Sequence, residues 1–487
     1  MNQHLDDYLA AGEQALVNGR LEAAVAAYRA AVALRDDLPD VWFNLAWAER
    51  ALQQFEPALA SYANAIRHGV ARPEEAHLNR AAILSDHLFR FDDAERELQQ
   101  AIAAKPQFIH AWLNLGHLHE DRGAVEPARQ AYAAAIAVDP SNGRAHARLG
   151  VMDIFEGQAD RAVTNLTGVL ESITDMRGRA DALFALGGAH DALGRYDDAY
   201  FAYEAANWLA RSASPTRYDR HAQDRLVDQL IRHVPAPAEL PTADDRPTPI
   251  FILGMFRSGS TLIEQILSRH SAIDAGGELE FIPSLVRSLG SRYPEAINEI
   301  SAEEIAGARN LYLSPLRELD RGTFMTDKRC DNFMNIGLIK RLFPGARFIH
   351  TKRNALDNFI SIYATDFDEA VPYGHDLNDI AHYYLSYQRL MEHWQALYPD
   401  DIHEVDYDRL VASPRSEIEK TIAFLGLAWE PQLEQPSRQP STVQTASLWQ
   451  VRQPLHARSS GRWMHYAQQL ATARTLLGLT PENPADD

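Results

Sequence analysis

Gly254, Arg257, Ser258, Gly259, Ser260 and Thr261 set glycines, hydroxyls and one arginine close together, the combination that capture of a tetrahedral oxyanion requires. They lie in PIFILGMFRSGSTLIEQIL (249–267), where an apolar run leads into a glycine turn and then into a helical pattern. The spacing reproduces G-x-x-x-x-G-K-[ST], the nucleotide-binding P-loop, with Ser260 in the place of the lysine. In such a loop the glycines let the backbone approach a ligand, and consecutive amides at the helix start receive its oxygens. A nucleoside triphosphate needs the missing lysine at its terminal phosphates and the following hydroxyl at magnesium. Arg257 forks onto an oxyanion and keeps its proton, so this loop suits a single phosphate or phosphosulfate with no necessary metal. The plainer alternative is a glycine turn that only joins a strand to a helix.

Further segments carry groups of the same kind. RFIHTKRNALDNFISIYATDF (347–367) reads as an apolar strand, Arg353, and a helix bearing Ser361 eight residues on. Its alternative is a surface pair between Arg353 and Asp357. GGELEFIP (276–283) sets Glu278 and Glu280 in a turn, and FMTDKRCDNFMNIGLIKRLFP (324–344) carries Lys328. By themselves such glutamates are a solvated turn and such a lysine an exposed strand edge. IHEVDYDRLVASPRSEIEKTIAFLGLAWEP (402–431) gives a strand, Tyr407 in a turn, and a helix with Ile418, Ile422 and Leu425 that stops at Gly426. His350, His403 and His456 lack ligand spacing and read as packing or surface residues.

Over roughly residues 247–470 these segments resemble the sulfotransferases that use 3′-phosphoadenosine 5′-phosphosulfate (PAPS). The chain is similar to the tyrosylprotein sulfotransferase branch and to bacterial relatives with N-terminal tetratricopeptide (TPR) repeats. The resemblance implies that Arg257, Ser258, Gly259, Ser260 and Thr261 bind the 5′-phosphosulfate, and that Arg353 and Ser361 bind the 3′-phosphate. Tyr407 takes a weaker part in closing the nucleotide site. TASLWQVRQPLHARSSGRWMHYAQQL (445–470) is similar to a segment whose serine, Gln-Val pair and basic residue touch cofactor or acceptor, here Ser447, Gln450 and Arg462. A catalytic glutamate is implied in the Gly-Glu turn, with Glu278 the first candidate and Glu280 the reserve, and Lys328 beside the scissile bridging oxygen. PAPS is then the sulfuryl donor, adenosine 3′,5′-bisphosphate the product, and no metal is required. In-line transfer asks for little more: an aimed acceptor oxygen, a base for its proton, and a cation at the leaving phosphate. Tyrosylprotein enzymes place basic residues just after the catalytic turn, where this chain has Phe281 and Ser284. That difference argues against a tyrosine in an acidic peptide. A protein or peptide hydroxyl presented by the TPR groove still leads as acceptor, tyrosine being one candidate, with a carbohydrate or small-molecule hydroxyl as the alternative.

The first half of the chain repeats itself. Ala24, Tyr28, Ala31; Ala58, Tyr62, Ala65; Ala94, Leu98, Ala101; Ala128, Tyr132, Ala135; Ala162, Leu166, Val169; and Ala199, Tyr203, Ala206 recur at intervals of 34, 36, 34, 34 and 37 residues. That is the TPR period, and it predicts about six helical pairs stacked around a continuous core. Pro39, Pro73, Pro106 and Pro140 fall where helices must end. An alanine-rich bundle is the alternative. The predicted architecture is multidomain: an all-α TPR solenoid (1–212), a connecting helix and linker (213–248), an α/β P-loop-like sulfotransferase domain with a central parallel sheet (249–475), and a tail (476–487). The repeats would hold the acceptor, position a partner, mediate self-association, or simply cap the catalytic domain.

Length and composition agree: 487 residues, 46% hydrophobic, supply two cores. Lys and Arg number 47 against 67 Asp and Glu, a net charge of −20 that argues against nucleic acid as the main partner. A local cluster of Arg257, Lys328, Arg353 and Arg462 remains able to attract an anion. One cysteine, Cys330, excludes an internal disulfide. The start, MNQHLDDYLAAGEQAL, has no basic region or export core, and no run reaches the roughly eighteen apolar residues a bilayer requires. The expectation is a soluble, cytoplasmic enzyme without a membrane association. Two other classes stand against it: a magnesium-dependent P-loop kinase or NTPase, and a noncatalytic TPR scaffold.

Overall fold

The computed structural model describes residues 2–233, 247–317, 323–367, 369–434 and 460–479. The chain forms an N-terminal helical solenoid followed by a domain with a five-stranded parallel sheet. Packing groups it into two compact units, residues 1–156 with 171–174, and residues 157–170 with 175–487.

The first unit is built of α1 (Asn2–Val17), α2 (Leu21–Leu34), α3 (Pro39–Ala51), α4 (Phe55–Arg67), α5 (Pro73–Asp86), α6 (Phe91–Ala104), α7 (Ile109–Asp121), α8 (Val125–Val138) and α9 (Gly143–Phe155). The small residues of the repeat are where helices meet: Ala24, Ala58, Ala94 and Ala128 are wholly buried. Beside them the aromatic needs a notch. A Cβ on Gly116 of α7 would lie 2.6 Å from the Tyr132 ring of α8, and one on Gly12 would lie 2.4 Å from the Tyr28 ring. Pro39 and Pro73 open α3 and α5 at positions where a missing N–H costs nothing. Buried carboxylates stitch the pairs together. Glu49 accepts from Ser61 Oγ at 2.7 Å and from Arg29 Nη2 at 2.7 Å, and Glu120 accepts from Arg148 Nε at 2.8 Å and Tyr132 Oη at 2.5 Å.

The second unit continues the pattern in α10 (Ala159–Val169), α11 (Met176–Ala192) and α12 (Tyr196–Ala213), then adds α13 (Arg220–His233). From there strands and helices alternate: β1 (Thr248–Gly254), α14 (Ser260–Leu267), β2 (Ile273–Asp274), α15 (Phe281–Leu289), α16 (Ala302–Arg317), β3 (Phe324–Lys328), α17 (Ile336–Leu342), β4 (Arg347–Lys352), α18 (Ala355–Tyr363), α19 (Leu377–Leu397), β5 (Ile402–Asp406), α20 (Tyr407–Ala412), α21 (Pro414–Phe424) and α22 (Ala471–Leu476). The sheet order is β2-β3-β1-β4-β5, every pair parallel. Helices cover both faces, so β1 is buried on both sides. Its alternation divides two cores: Ile250 and Ile252 pack with Ile263, Ile266 and Ile418, whereas Phe251 and Leu253 pack with Leu338, Phe348 and Leu390. The α11–α12 pair shares this second core, with Tyr203 and Ala206 buried in it. Of the expected connecting helix and linker (213–248), residues 234–246 lie outside the described residues. Among the described residues no helix is long and apolar enough to cross a membrane.

Candidate functional site

The chain leaves β1 and β4 side by side, because Gly254 pairs with Thr351 in the register of the two strands. Their approach is close: a Cβ on Gly254 would stand 2.3 Å from the Thr351 carbonyl oxygen, at a φ of +146°. Ser258 braces the loop, its Oγ donating to the Met255 carbonyl at 2.6 Å and lying 2.6 Å from Thr351 Oγ1. Asn358 of α18 ties the same loop by donating to the Phe256 carbonyl at 2.7 Å. Arg257 takes a left-handed φ of +69°, uncommon for a residue with a Cβ and concentrated at functional positions.

That backbone conformation accompanies a side chain directed at α18. Arg257 Nε donates to Ser361 Oγ at 3.1 Å, and Arg353 Nη1 donates to the Arg257 carbonyl at 3.2 Å. The Arg353 guanidinium stands 4.9 Å from the centre of the Tyr407 ring, a cation–π arrangement. The same ring closes against Gly259, where a Cβ would lie 2.7 Å from it at a φ of +100°. Gly259 then opens α14, with Ser260 and Thr261 as its first residues.

Arg462 joins this group through a 3₁₀ turn, Arg462–Tyr466. The carboxylate of Asp357 accepts the N–H groups of Gly461 at 2.6 Å and Trp463 at 2.7 Å, fixing the turn against α18. Arg462 itself pairs with Asp191 of α11 at 3.2 Å. Burial, then the charges of Arg353 and Arg462, push the Arg257 guanidinium down to about 10. Arg353 is lowered as well, chiefly by burial. Clustered, desolvated guanidinium groups of this kind are what an arriving phosphate relieves.

A second group lies on the other side of β1, where Ile252 pairs with Lys328 of β3. Lys328 is 1% exposed and its Nζ makes an ion pair with Glu278. Burial works to lower its pKa, but the carboxylates of Glu278 and Glu264 outweigh it and hold the ammonium above the ordinary lysine value. The turn ahead of Glu278 is pinned at each residue. Lys328 N donates to the Gly277 carbonyl at 2.7 Å, Gly276 N donates to Thr326 Oγ1 at 3.1 Å, and Gly277 N donates to Glu264 Oε1 at 3.1 Å. Glu264 also accepts from Thr326 Oγ1 at 2.8 Å, and burial raises its pKa. Glu280 faces elsewhere, paired with Arg329 at 2.6 Å and Arg287 at 3.2 Å. Burial raises its pKa, yet those two arginines prevail and hold it below the usual glutamate value. The two groups adjoin, since Ser260 Oγ is 3.2 Å from the sulfur of Cys330, two residues beyond Lys328.

The structure thus brings Arg257, Arg353, Ser361, Tyr407, Gly259 and Arg462 together, and joins Glu278 to Lys328. Ser447 and Gln450 lie outside the described residues. His350 is buried with Nδ1 3.4 Å from Glu404, and His403 meets Thr421 Oγ1 at 3.2 Å, so both belong to packing. Sequence reasoning did not find Glu264 or Asp191. The one signal for Glu264 was a carboxylate inside the apolar helix pattern TLIEQIL. Asp357 was readable only as a possible partner of Arg353, and nothing local to Asp191 singled it out.

Residues 249–431 match the Sulfotransferase family, and residues 88–150 match the Tetratricopeptide repeat. An uncharacterized protein of Aquifex aeolicus (strain VF5) is 30% identical over 402 residues, 78% of this chain and 52% of that protein. Protein-tyrosine sulfotransferase A of Caenorhabditis elegans is 24% identical over 243 residues, 45% of this chain and 63% of that one. The chain therefore spans about half of the length of the first relative and less than two thirds of the second. A crystal structure of MamA protein superposes with a TM-score of 0.29 at 16% identity, covering 45% of this chain and 100% of that chain.

Proposed function

We propose that this chain, a TPR-containing member of the sulfotransferase family, moves a sulfuryl group from PAPS to an acceptor hydroxyl. The observation that carries the reading is the convergence of Arg257, Arg353 and Ser361 where β1 and β4 end, directly beside the Lys328–Glu278 pair. The arginine cluster calls for a ligand with more than one anionic group, and a nucleotide phosphorylated at 3′ and carrying a 5′-phosphosulfate has two. Bound there, the donor would supply sulfur attached to a phosphate leaving group. Ser260, Thr261 and the start of α14 would face its 5′ end, with Arg353 and Ser361 at its 3′ end.

Glu278 serves as base. It takes the acceptor proton while the acceptor oxygen bonds to sulfur and the sulfur–oxygen bond to phosphate breaks. Lys328, kept charged by its carboxylate neighbours, neutralises the bridging oxygen that departs. Glu280, committed to two arginines, is the reserve. The reaction needs no metal. Under this reading the catalytic domain is 249–475 and the repeats are 1–212. The acceptor is a protein or peptide hydroxyl presented by the repeats, with carbohydrate or small-molecule hydroxyls next. The protein-tyrosine sulfotransferase of the worm favours a protein acceptor, and a cytoplasmic setting suits a chain with one buried cysteine.

Calorimetry with adenosine 3′,5′-bisphosphate tests the reading. Binding near micromolar without magnesium is expected, weakened about tenfold or more by Arg257→Ala and by Arg353→Ala. Equal affinity for ADP would instead support a kinase. Labelled PAPS incubated with a lysate then shows whether label enters protein, glycan or small molecules.

A further inference from the structure

The Arg257, Arg353 and Arg462 guanidinium groups repel one another, and a counter-charge beside Arg462 offsets that repulsion. Asp191 supplies it from α11, a helix of the repeats. The Asp191 carboxylate pairs with Arg462 Nη2 at 3.2 Å and accepts the Tyr466 hydroxyl from the next turn of the same segment. Tyr196, at the start of α12, stacks on His465 at 3.9 Å and meets Tyr466 edge-on at 5.7 Å. The segment that carries Arg462 is therefore clasped by the repeat pair on one side and by Asp357 of α18 on the other.

The same pair holds the far end of α18. Tyr363 is the last residue of that helix, and its carbonyl is one of those a helix leaves without an internal partner. Asn207 of α12, 1% exposed, donates to it at 2.8 Å and to the Tyr203 carbonyl at 2.9 Å, while its Oδ1 meets His375 Nδ1 at 3.0 Å. Tyr200 stacks on Tyr363 at 5.8 Å, and Arg177 of α11 pairs with Asp366 just beyond. A repeat helix with no task but stacking would present solvated side chains here.

We infer that the α11–α12 pair is a working part of the nucleotide site, with Asp191 the positioning residue that holds Arg462 toward the 3′-phosphate. This rests on the function proposed above, which makes the arginine cluster a nucleotide site. The 3′ end is indicated because Asp357, which fixes the Arg462 turn, lies one helical turn from Ser361 on α18.

The test is calorimetry on the full-length chain, comparing adenosine 3′,5′-bisphosphate with adenosine 5′-phosphosulfate, which lacks the 3′-phosphate. Asp191→Asn and Arg462→Ala are each expected to weaken the bisphosphate about fivefold to tenfold and to leave the phosphosulfate unchanged. The double variant is expected to lose no more than Arg462→Ala alone. An unaltered bisphosphate affinity in Asp191→Asn, an equal loss for both ligands, or losses that multiply in the double variant would each overturn the inference. Asp191→Ser, judged by the same ratio, replaces Asp191→Asn should the latter not fold. The two failures separate: a wild-type chain indifferent to the 3′-phosphate and to Arg257→Ala defeats the sulfotransferase reading, whereas a discriminating wild type with an inert Asp191→Asn defeats only the coupling.

Discussion

Glu278 and Glu280 are two positions apart yet meet different cations, one the buried Lys328 and the other Arg329 and Arg287. Under the proposed reaction, a proton arriving at Glu278 would leave the Lys328 ammonium free to follow the departing phosphate, whereas one arriving at Glu280 would first have to break two arginine pairs. Glu278→Gln is therefore expected to keep nucleotide affinity and lose transfer by about 100-fold or more, while Glu280→Gln changes the rate by less than about threefold. Single-turnover assays with labelled PAPS read both. Glu264 acts through the turn, holding Gly277 N and Thr326 Oγ1. Glu264→Gln should lower kcat about tenfold with little effect on KM for the nucleotide. Glu278 is a candidate in the sequence only through the resemblance to a Gly-Glu turn, where it directly follows Gly277. Glu264 is not one, because a carboxylate on an amphipathic helix looks solvated until the strand beside it is known.

The loop between β1 and α14 tolerates little at its two glycines. Gly259→Ala would set a methyl against Tyr407 in a backbone region that disfavours it, so adenosine 3′,5′-bisphosphate binding should fall about 100-fold with the repeats still folded, as circular dichroism would report. β3 carries a different sensitivity. Burial pushes the Asp327 carboxyl up to about 8, against the opposing hydrogen bond from Tyr312. Unfolding returns it to the ordinary value of about 3.9, so folding favours its protonated form. That stability is complete below about pH 4 and lost as pH rises through about 8. Melting temperature should decline between about pH 4 and pH 8, and Asp327→Asn should flatten the decline by about 3 °C or more. A slope identical in the variant would show that other groups set it. The central strand β1 was legible because a buried parallel strand is continuously apolar, as IFILG is. β2, two residues long, has no pattern to read, and the hydrogen bonds of Asp357 to Gly461 and Trp463 join residues far apart in sequence.

Across the whole molecule the sequence carries a clear change of grammar, from a period near 34 residues to alternating strands and helices. It does not carry the allegiance of each repeat, since the motif Ala199, Tyr203, Ala206 reads like its predecessors although Asn207 beside it is spent on α18. Residues 157–487 should accordingly bind adenosine 3′,5′-bisphosphate within about threefold of the full chain, and residues 214–487 should bind it at least about tenfold more weakly or fail to fold, as calorimetry and gel filtration would show. The buried Asn207 amide has a consequence for how such chains can change in length. A repeat inserted after α12 would carry that amide away from the Tyr363 carbonyl, whereas one inserted before α10 would leave it in place. Descent with added or deleted repeats is thus free at the amino end of the array and forbidden at its carboxyl end.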